Sequence, residues 1–168
     1  IQGSLSQGLE VRLHADVSVE DMRVGKFLVV QGVRSRFFCM LTDVSLATAS
    51  QRILANPPHP TELFLQEVLA GGGTYGTIDL APMLMFTPEG SGDTVDNDQL
   101  LPVKTIPGHF SQAYDASERD FRSVFGWEDD PHRRNFVIGQ PIDMDVPICI
   151  DLNRFVERSN GIFGKSGT

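Results

Sequence analysis

Apolar and polar residues alternate in GLEVRLH, residues 8–14, which puts Leu9, Val11 and Leu13 on one face and predicts a half-buried strand. The run SVEDMRVGKFLVVQG passes from an acidic, turn-like segment into a strong strand over residues 26–31. Gly32 then marks a turn, and SRFFCMLTDVSL, residues 35–46, is β-rich, so the two runs predict a hairpin. ASQRILANPPHP leads into a proline-rich loop that breaks regular structure. TELFLQEVLA is long enough for a helix, but its place between NPPHP and GGGTYG favours a strand. TYGTIDLAPMLMFTP predicts another strand or strand pair, with an edge or a bulge at Pro82. EGSGDTVDNDQLLP, residues 89–102, reads as a polar, acidic surface loop.

One segment has the local chemistry of a helix. In DASERDFRSVFGW, Ser117 is placed to cap the N-terminus and Asp120 stands where a capping box wants its acid. Phe121, Val124 and Phe125 then share a face, and Gly126 is a C-terminal stop. A polar stretch, EDDPHRRN, follows. The rest reads as two β segments, VPICIDL and NGIFG, with a short turn of helix or loop, NRFVERS, between them. The expected organisation is a mostly antiparallel β-domain over residues 1–101, a helical connector over 102–135, and the entrance to another domain over 136–168. Many short strands with turn signals about every 8 to 12 residues favour a sandwich or a barrel.

Charge changes the picture more than composition does. The net charge is −8, and not one Lys or Arg lies between Arg52 and Lys104, where Glu62, Glu67, Asp79, Glu89, Asp93, Asp96 and Asp98 all fall. Duplex DNA is gripped by cations facing phosphates, so this half of the β-domain should repel it. The cations return late, at Arg133, Arg134, Arg154, Arg158 and Lys165. The acidic loop lacks the ligand frame of a calcium hand, there is no C-x-x-C, and the four His residues are scattered, so no metal site is expected. Cys39 and Cys149 lie in apolar runs and read as reduced core thiols of a cytosolic protein. No apolar run approaches the roughly 18 to 20 residues needed to span a bilayer, and no signal-peptide pattern is present; no membrane role is expected.

The last five residues, Gly164, Lys165, Ser166, Gly167 and Thr168, match the opening of a phosphate-binding loop, G-x-x-x-x-G-K-[ST]. Such a loop needs a strand before it, glycines whose neighbours turn backbone N–H groups toward phosphate oxygens, and a helix after it. GIF, residues 161–163, is the expected short buried strand. Lys165 directly follows the first glycine, so it is not the motif's phosphate-binding Lys, which comes six residues after that glycine.

IGQPIDMDVPICIDLNRFVERSNGIFGKSGT resembles the run into the Walker A loop of HerA-like ATPases, relatives of FtsK. GSLSQGLEVRL, SVEDMRVGKFLVVQG and RFFCMLTDVSL resemble the opening strands of the HAS barrel that precedes the HerA motor, and IPGHFSQAYDASERDFRSVFG resembles the connector between the two. The resemblance implies a mainly β fold: a small antiparallel HAS barrel, a short helical connector, and the first strands of a P-loop ATPase domain cut within Walker A. It further implies a cytoplasmic, hexameric, ATP- and Mg-dependent DNA translocase or helicase of DNA repair. Its ring would hold DNA through the motor, and its barrel would serve assembly and docking of a partner such as a nuclease. Gly164, Lys165, Ser166, Gly167 and Thr168 are the implied nucleotide-binding residues. The Walker A Lys, the Mg-binding hydroxyl and a Walker B carboxylate are all missing from residues 1–168, so no catalytic residue, no bound cofactor and no ATP hydrolysis is expected of them alone. Ser159 stands after Arg158 where many relatives carry His.

Two other classes compete. One is a free-standing β-barrel module that binds protein or ligand; an OB-like version that binds single strands would want exposed aromatics among cations, and only RSRFF, residues 34–38, qualifies, its simpler reading being a strand with Phe37 or Phe38 in the core. A hydrolase built on Ser123, Asp130 and His132 lacks a G-x-S-x-G elbow.

Overall fold

The computed structural model describes residues 1–48, 55, 59, 61–72, 74–88, 98–131, 133–141, 144–157, 159–161 and 163–164. The chain forms two compact units, Ile1–Ala116 and Ser117–Thr168. The first holds β1 (Gln2–Ser4), β2 (Gly8–Arg12), a 3-10 turn (Val19–Asp21), β3 (Phe27–Gln31), β4 (Arg36–Thr48), α1 (Leu63–Gly72), β5 (Thr74–Pro88), β6 (Asp98–Pro102) and β7 (Gln112–Asp115). All the strand pairs are antiparallel, in the order β1-β2-β5-β4-β3-β7, with β6 also on β5.

The alternation seen in the sequence becomes two buried faces. Leu28 and Val30 on β3, Phe37, Cys39 and Leu41 on β4, and Ile78 and Leu80 on β5 join Leu9 and Val11 in one core. On the opposite face of the same strands, Phe27 and Phe38 stack at 5.1 Å, and Phe86 meets Phe38 edge-on at 6.3 Å. Phe37 and Phe38 are therefore both buried, on opposite sides of β4.

Two bulges shape the β4–β5 ladder. Cys39 pairs with Pro82 and Phe38 with Leu84, which leaves Met83 as an extra residue on β5. Leu41 pairs with Leu80 and Asp43 with Asp79, which leaves Thr42 extra on β4. The Thr42 hydroxyl donates to the Asp79 carbonyl at 3.0 Å, so this bulge keeps its acceptor satisfied. Away from β4, β5 pairs with β2 at residues 77–80 and with β6 at 84–88. Pro82 falls between these partners, where its missing N–H costs no bond on that edge. The expected bulge near Pro82 is thus present, within one continuous strand rather than a strand pair.

Two expectations fail here. TELFLQEVLA is helical: α1 sits between the ends of β4 and β5, and helix-forming Leu, Gln, Glu and Ala outweigh the flanking loop signals. Residues 98–102, taken as the end of the acidic loop, form β6, because Leu100 and Leu101 have Phe86 and Met85 to pair with. The remainder of that loop, residues 89–97, lies outside the described residues.

The second unit holds α2 (Glu118–Phe125), β8 (Asn135–Gly139), β9 (Ile148–Asp151) and α3 (Leu152–Val156), with β8 and β9 paired antiparallel. β8 was absent from the sequence-based expectation; NFVIG follows a charged stretch and shows too short an apolar pattern to stand out. β7 and α2, both within the stretch expected as a connector, belong to different units. The capping box forms: Ser117 Oγ accepts from the Asp120 backbone at 3.3 Å, and the Asp120 carboxylate accepts from the Ser117 backbone at 2.9 Å. Gly126 ends α2 with φ 73°, and a Cβ there would run into the Asn135 side chain.

Leu80→Ala is expected to cost about 2–5 kcal/mol in urea unfolding, because it opens a cavity in the first core, whereas Leu46→Ala, at an exposed position, stays within about 0.5 kcal/mol. Ser117→Ala is expected to cost about 1–2 kcal/mol, since it uncaps α2 and removes the hydroxyl that donates to the buried Asp120.

Candidate functional site

The strand that leads toward the terminal motif is β9, buried at Cys149. Asp151 ends it and caps α3, accepting from the Asn153 backbone at 2.9 Å. The Leu152 N–H reaches back to the Arg134 carbonyl at 2.8 Å and ties α3 to the chain entering β8. Beyond α3 the expected GIF strand is not formed: Gly161 and Phe163 are irregular, and Phe163 is 95% exposed. A strand before a phosphate loop is normally buried inside a parallel sheet, and among the described residues this unit has only the β8–β9 pair. Gly164 has open space around it. Lys165, Ser166, Gly167 and Thr168 lie outside the described residues. The residues present do not compose a nucleotide site by themselves, since the motif's Lys and hydroxyl follow its fifth residue.

Around this entry the second unit holds a small cavity of about 390 Å³, lined by Phe125, Cys149, Asp151, Arg154 and Phe155 among others. Arg154 stands 4.0 Å from Asp151 and Arg133 3.9 Å from Asp130, both loose pairs on a polar surface. Arg122 is held better: it grips Asp129 through two bonds of 2.7 and 2.9 Å and lies over the Trp127 ring at 5.6 Å. Burial pushes the Cys149 thiol up, helped by the Glu128 carboxylate. Both cysteines are free and buried, as expected.

The first unit carries a larger cavity, about 1160 Å³, between the β2 end of the sheet and β7. Leu13, Met22, Leu28, Ile78 and Ala113 give it apolar walls, and Arg12, His14 and Asp115 stand among its lining residues. The Arg12 guanidinium lies over the Tyr75 ring at 4.0 Å. His14 bonds Asp16 and holds that carboxyl below the ordinary carboxylate range. Lys26 bridges to Asp115 at 2.9 Å and fastens β7 beside β3. At one end of the cavity the His109 imidazole bonds the Ile1 carbonyl at 3.0 Å. The next residue, Phe110, is 94% exposed and adopts φ 66°, a left-handed conformation that a side chain normally avoids.

The other candidate chemistries do not assemble. Ser123 Oγ donates to the Arg119 carbonyl within α2, Asp130 faces Arg133, and His132 lies outside the described residues. Phe37 and Phe38 are buried, so RSRFF offers no stacking surface for single strands. Among the described residues no group of three or more His, Cys, Asp or Glu is placed to hold a metal ion, and no helix is long and apolar enough to cross a membrane.

Comparison with known proteins decides the family. Residues 1–105 match the family model described as the HAS barrel domain. The chain belongs to the HAS barrel family. Residues 136–168 match a second family model, the central domain of helicase HerA. No curated protein matches the chain. The resemblance drawn from the terminal motif and the opening strands is thereby borne out: a HAS barrel precedes the beginning of a HerA-type central domain. The HAS barrel match stops at residue 105, yet the first compact unit runs on to Ala116, because β7 extends the barrel's sheet against β3. The exposed apolar helix α1 and the strained Phe110 escaped sequence reasoning. The length of the run allowed a helix at α1 but nothing signalled its exposure, and nothing local signals a positive φ at a phenylalanine.

Two measurements probe these sites. Phe110→Gly is expected to raise stability by about 1 kcal/mol, because glycine adopts a left-handed conformation freely; urea unfolding reads it. Burial holds the Cys39 thiol up to about 12, against 9.0 ordinarily. Above about pH 9 the unfolded chain loses this proton while the folded chain keeps it, so stability should fall as pH rises toward 12, by up to about 1.4 kcal/mol per unit for one thiol. Cys149, shifted the same way, adds to the slope, and Cys39→Ala should flatten it.

Proposed function

We propose that this chain is the barrel collar, with the motor entrance, of an ATP-driven DNA translocase or helicase of the HerA type. The observation that carries the reading is the order of the two family matches in one chain, HAS barrel at 1–105 and HerA central domain at 136–168. In this reading the parent assembles as a ring, a hexamer, and works in the cytoplasm on DNA in repair. The barrel contributes to subunit assembly and receives a protein partner such as a nuclease. Gly164, Lys165, Ser166, Gly167 and Thr168 open the loop that holds ATP, while Mg and the catalytic groups come with the rest of the motor. Residues 1–168 lack the Lys that neutralises the β- and γ-phosphates and the hydroxyl that holds Mg, so they hydrolyse no ATP by themselves. DNA contact belongs to the motor, because the first unit carries thirteen carboxylates against seven Lys and Arg.

The large cavity favours a second reading, a barrel that binds a protein segment or ligand without any ATPase. The two part on one experiment. The protein is extended past Thr168 in its own reading frame and assayed for ATP hydrolysis with and without duplex DNA. Gly-Lys-Ser or Gly-Lys-Thr completing the loop, with hydrolysis stimulated by DNA, is the expected result. A frame without those residues, or an extended protein without hydrolysis, overturns the collar reading.

A further inference from the structure

The sheet of the first unit ends at β1 on one side and at β7 on the other, and among the described residues neither pairs on its outer side. The large cavity lies between these ends: Ile1 and residues 11–15 line one wall, residues 111–115 the other. The Ala116 N–H bonds the Phe27 carbonyl at 3.1 Å, and β7 keeps the same register along β3, from Leu28 with Asp115 to Gln31 with Gln112. Bonded and unbonded residues alternate along an antiparallel pair. Gln112 and Tyr114 therefore turn their N–H and C=O groups to β3, and Ala113 and Asp115 turn theirs away from it, along the rim of the cavity. Ala113 packs against the first core, so a strand laid on this edge sets every second side chain over Leu13, Met22, Leu28 and Ile78. Unpaired main-chain groups beside an apolar hollow have the form of a missing strand.

The approach to this edge is strained. The Ser111 N–H bonds the Gly108 carbonyl at 3.3 Å and closes a turn just before β7. Phe110 takes the third place of that turn, with the positive φ that glycine favours there. Its ring is almost wholly in water, so no packing within the unit offsets the strain. Strain of this kind collects at ligand clamps. The neighbouring His109 bonds the Ile1 carbonyl and ties the turn across the gap. Charge narrows the occupant further. Asp115, the one charge on β7, is met by Lys26 at 2.9 Å, and His14 across the cavity is paired with Asp16. The edge therefore offers a phosphate backbone no free cation, and an occupant without net charge complements it.

We propose that the outer edge of β7 is a strand-addition site for an extended segment of a partner protein, apolar at alternate positions and without net charge. The segment pairs with the main chain of Ala113 and Asp115, fills the gap between the two ends of the sheet, and is clamped at its entry by Phe110. This rests on the docking role in the collar reading and deepens it by naming the surface and the chemistry of the partner.

The test uses the whole 168-residue protein and a fluorescent peptide of alternating Val and Thr flanked by one Lys and one Glu. A second peptide holds the same residues as Val-Val-Thr-Thr repeats, which destroys the alternation. The alternating peptide is expected to bind saturably and to slow amide exchange at Ala113 and Asp115, read by NMR; the other peptide binds at least about tenfold more weakly. Ala113→Pro removes only an N–H that points away from β3, so it should keep its melting temperature and lose at least about tenfold in affinity. Phe110→Gly should bind more weakly although it is the more stable protein, which excludes unfolding as the cause. Val33→Gln, at an exposed position outside β7, should change nothing. Equal binding of the two peptides, equal binding by Ala113→Pro or by Phe110→Gly, or binding without protection at Ala113 and Asp115 overturns the proposal. Self-association of the free protein that Ala113→Pro abolishes in sedimentation also overturns it, in favour of a second copy. β7-dependent peptide binding alongside an extended protein without ATPase activity supports the strand site while the motor reading falls.

Discussion

The ladder between β4 and β5 is the constraint on which the first unit depends. It joins twelve residue pairs, from Arg36 with Phe86 to Thr48 with Thr74. β3 hangs from β4 and carries β7; β2 and β6 hang from β5, and β2 carries β1. Its two bulges sit on opposite strands, so each adds one residue and the second restores the register that the first displaced. Side chains alternate with period two, and an uncompensated bulge would turn the rest of one strand inside out. With both present, Phe37, Cys39 and Leu41 face the core before Thr42, and Val44 faces it after. On β5 the inward positions pass from Ile78 and Leu80 to Met85 across Met83. The local bends also let a single strand serve β2 along one part and β6 along another.

The same bulges explain which parts of the fold were legible. β2, whose alternation is uninterrupted, and β3, a short continuous apolar run, stand where the sequence puts them, as does the hairpin through Gly32. The helix boundary at Ser117 was legible because a capping box and a glycine stop are local chemistry. α1 was misread because its place between NPPHP and GGGTYG outweighed a length that allowed a helix. β6 was hidden for a different reason: its stability comes from pairing with residues 84–88, far from the acidic segment that introduces it. At the far end, a strand at Gly161 depends on sheet neighbours, and no local pattern can supply them. The family resemblance survived these errors because it rested on the hairpin and the terminal motif rather than on the acidic middle.

Charge separates the two units more sharply than secondary structure does. The first has thirteen carboxylates against seven Lys and Arg, and the second nine against seven. In the second unit Arg122 is held closely by Asp129, while Arg133 and Arg154 stand loosely beside Asp130 and Asp151. In the first, the segment from Arg52 to Lys104 has no cation of its own to spend. Its field therefore extends outward over roughly a Debye length, about 8 to 10 Å at ordinary ionic strength. That favours association with a basic protein surface over a grip on nucleic acid.

The core does not require α1. The ladder beneath α1 already closes the β4–β5 hairpin at Thr48 and Thr74, and Leu63, Phe64 and Val68 leave more than half of their area in water. A hairpin of this length could end in a short polar turn without disturbing Leu41, Ile78 or Leu80. Exposing large apolar side chains there instead costs solubility, and contiguous exposed apolar surface of this kind marks a contact site.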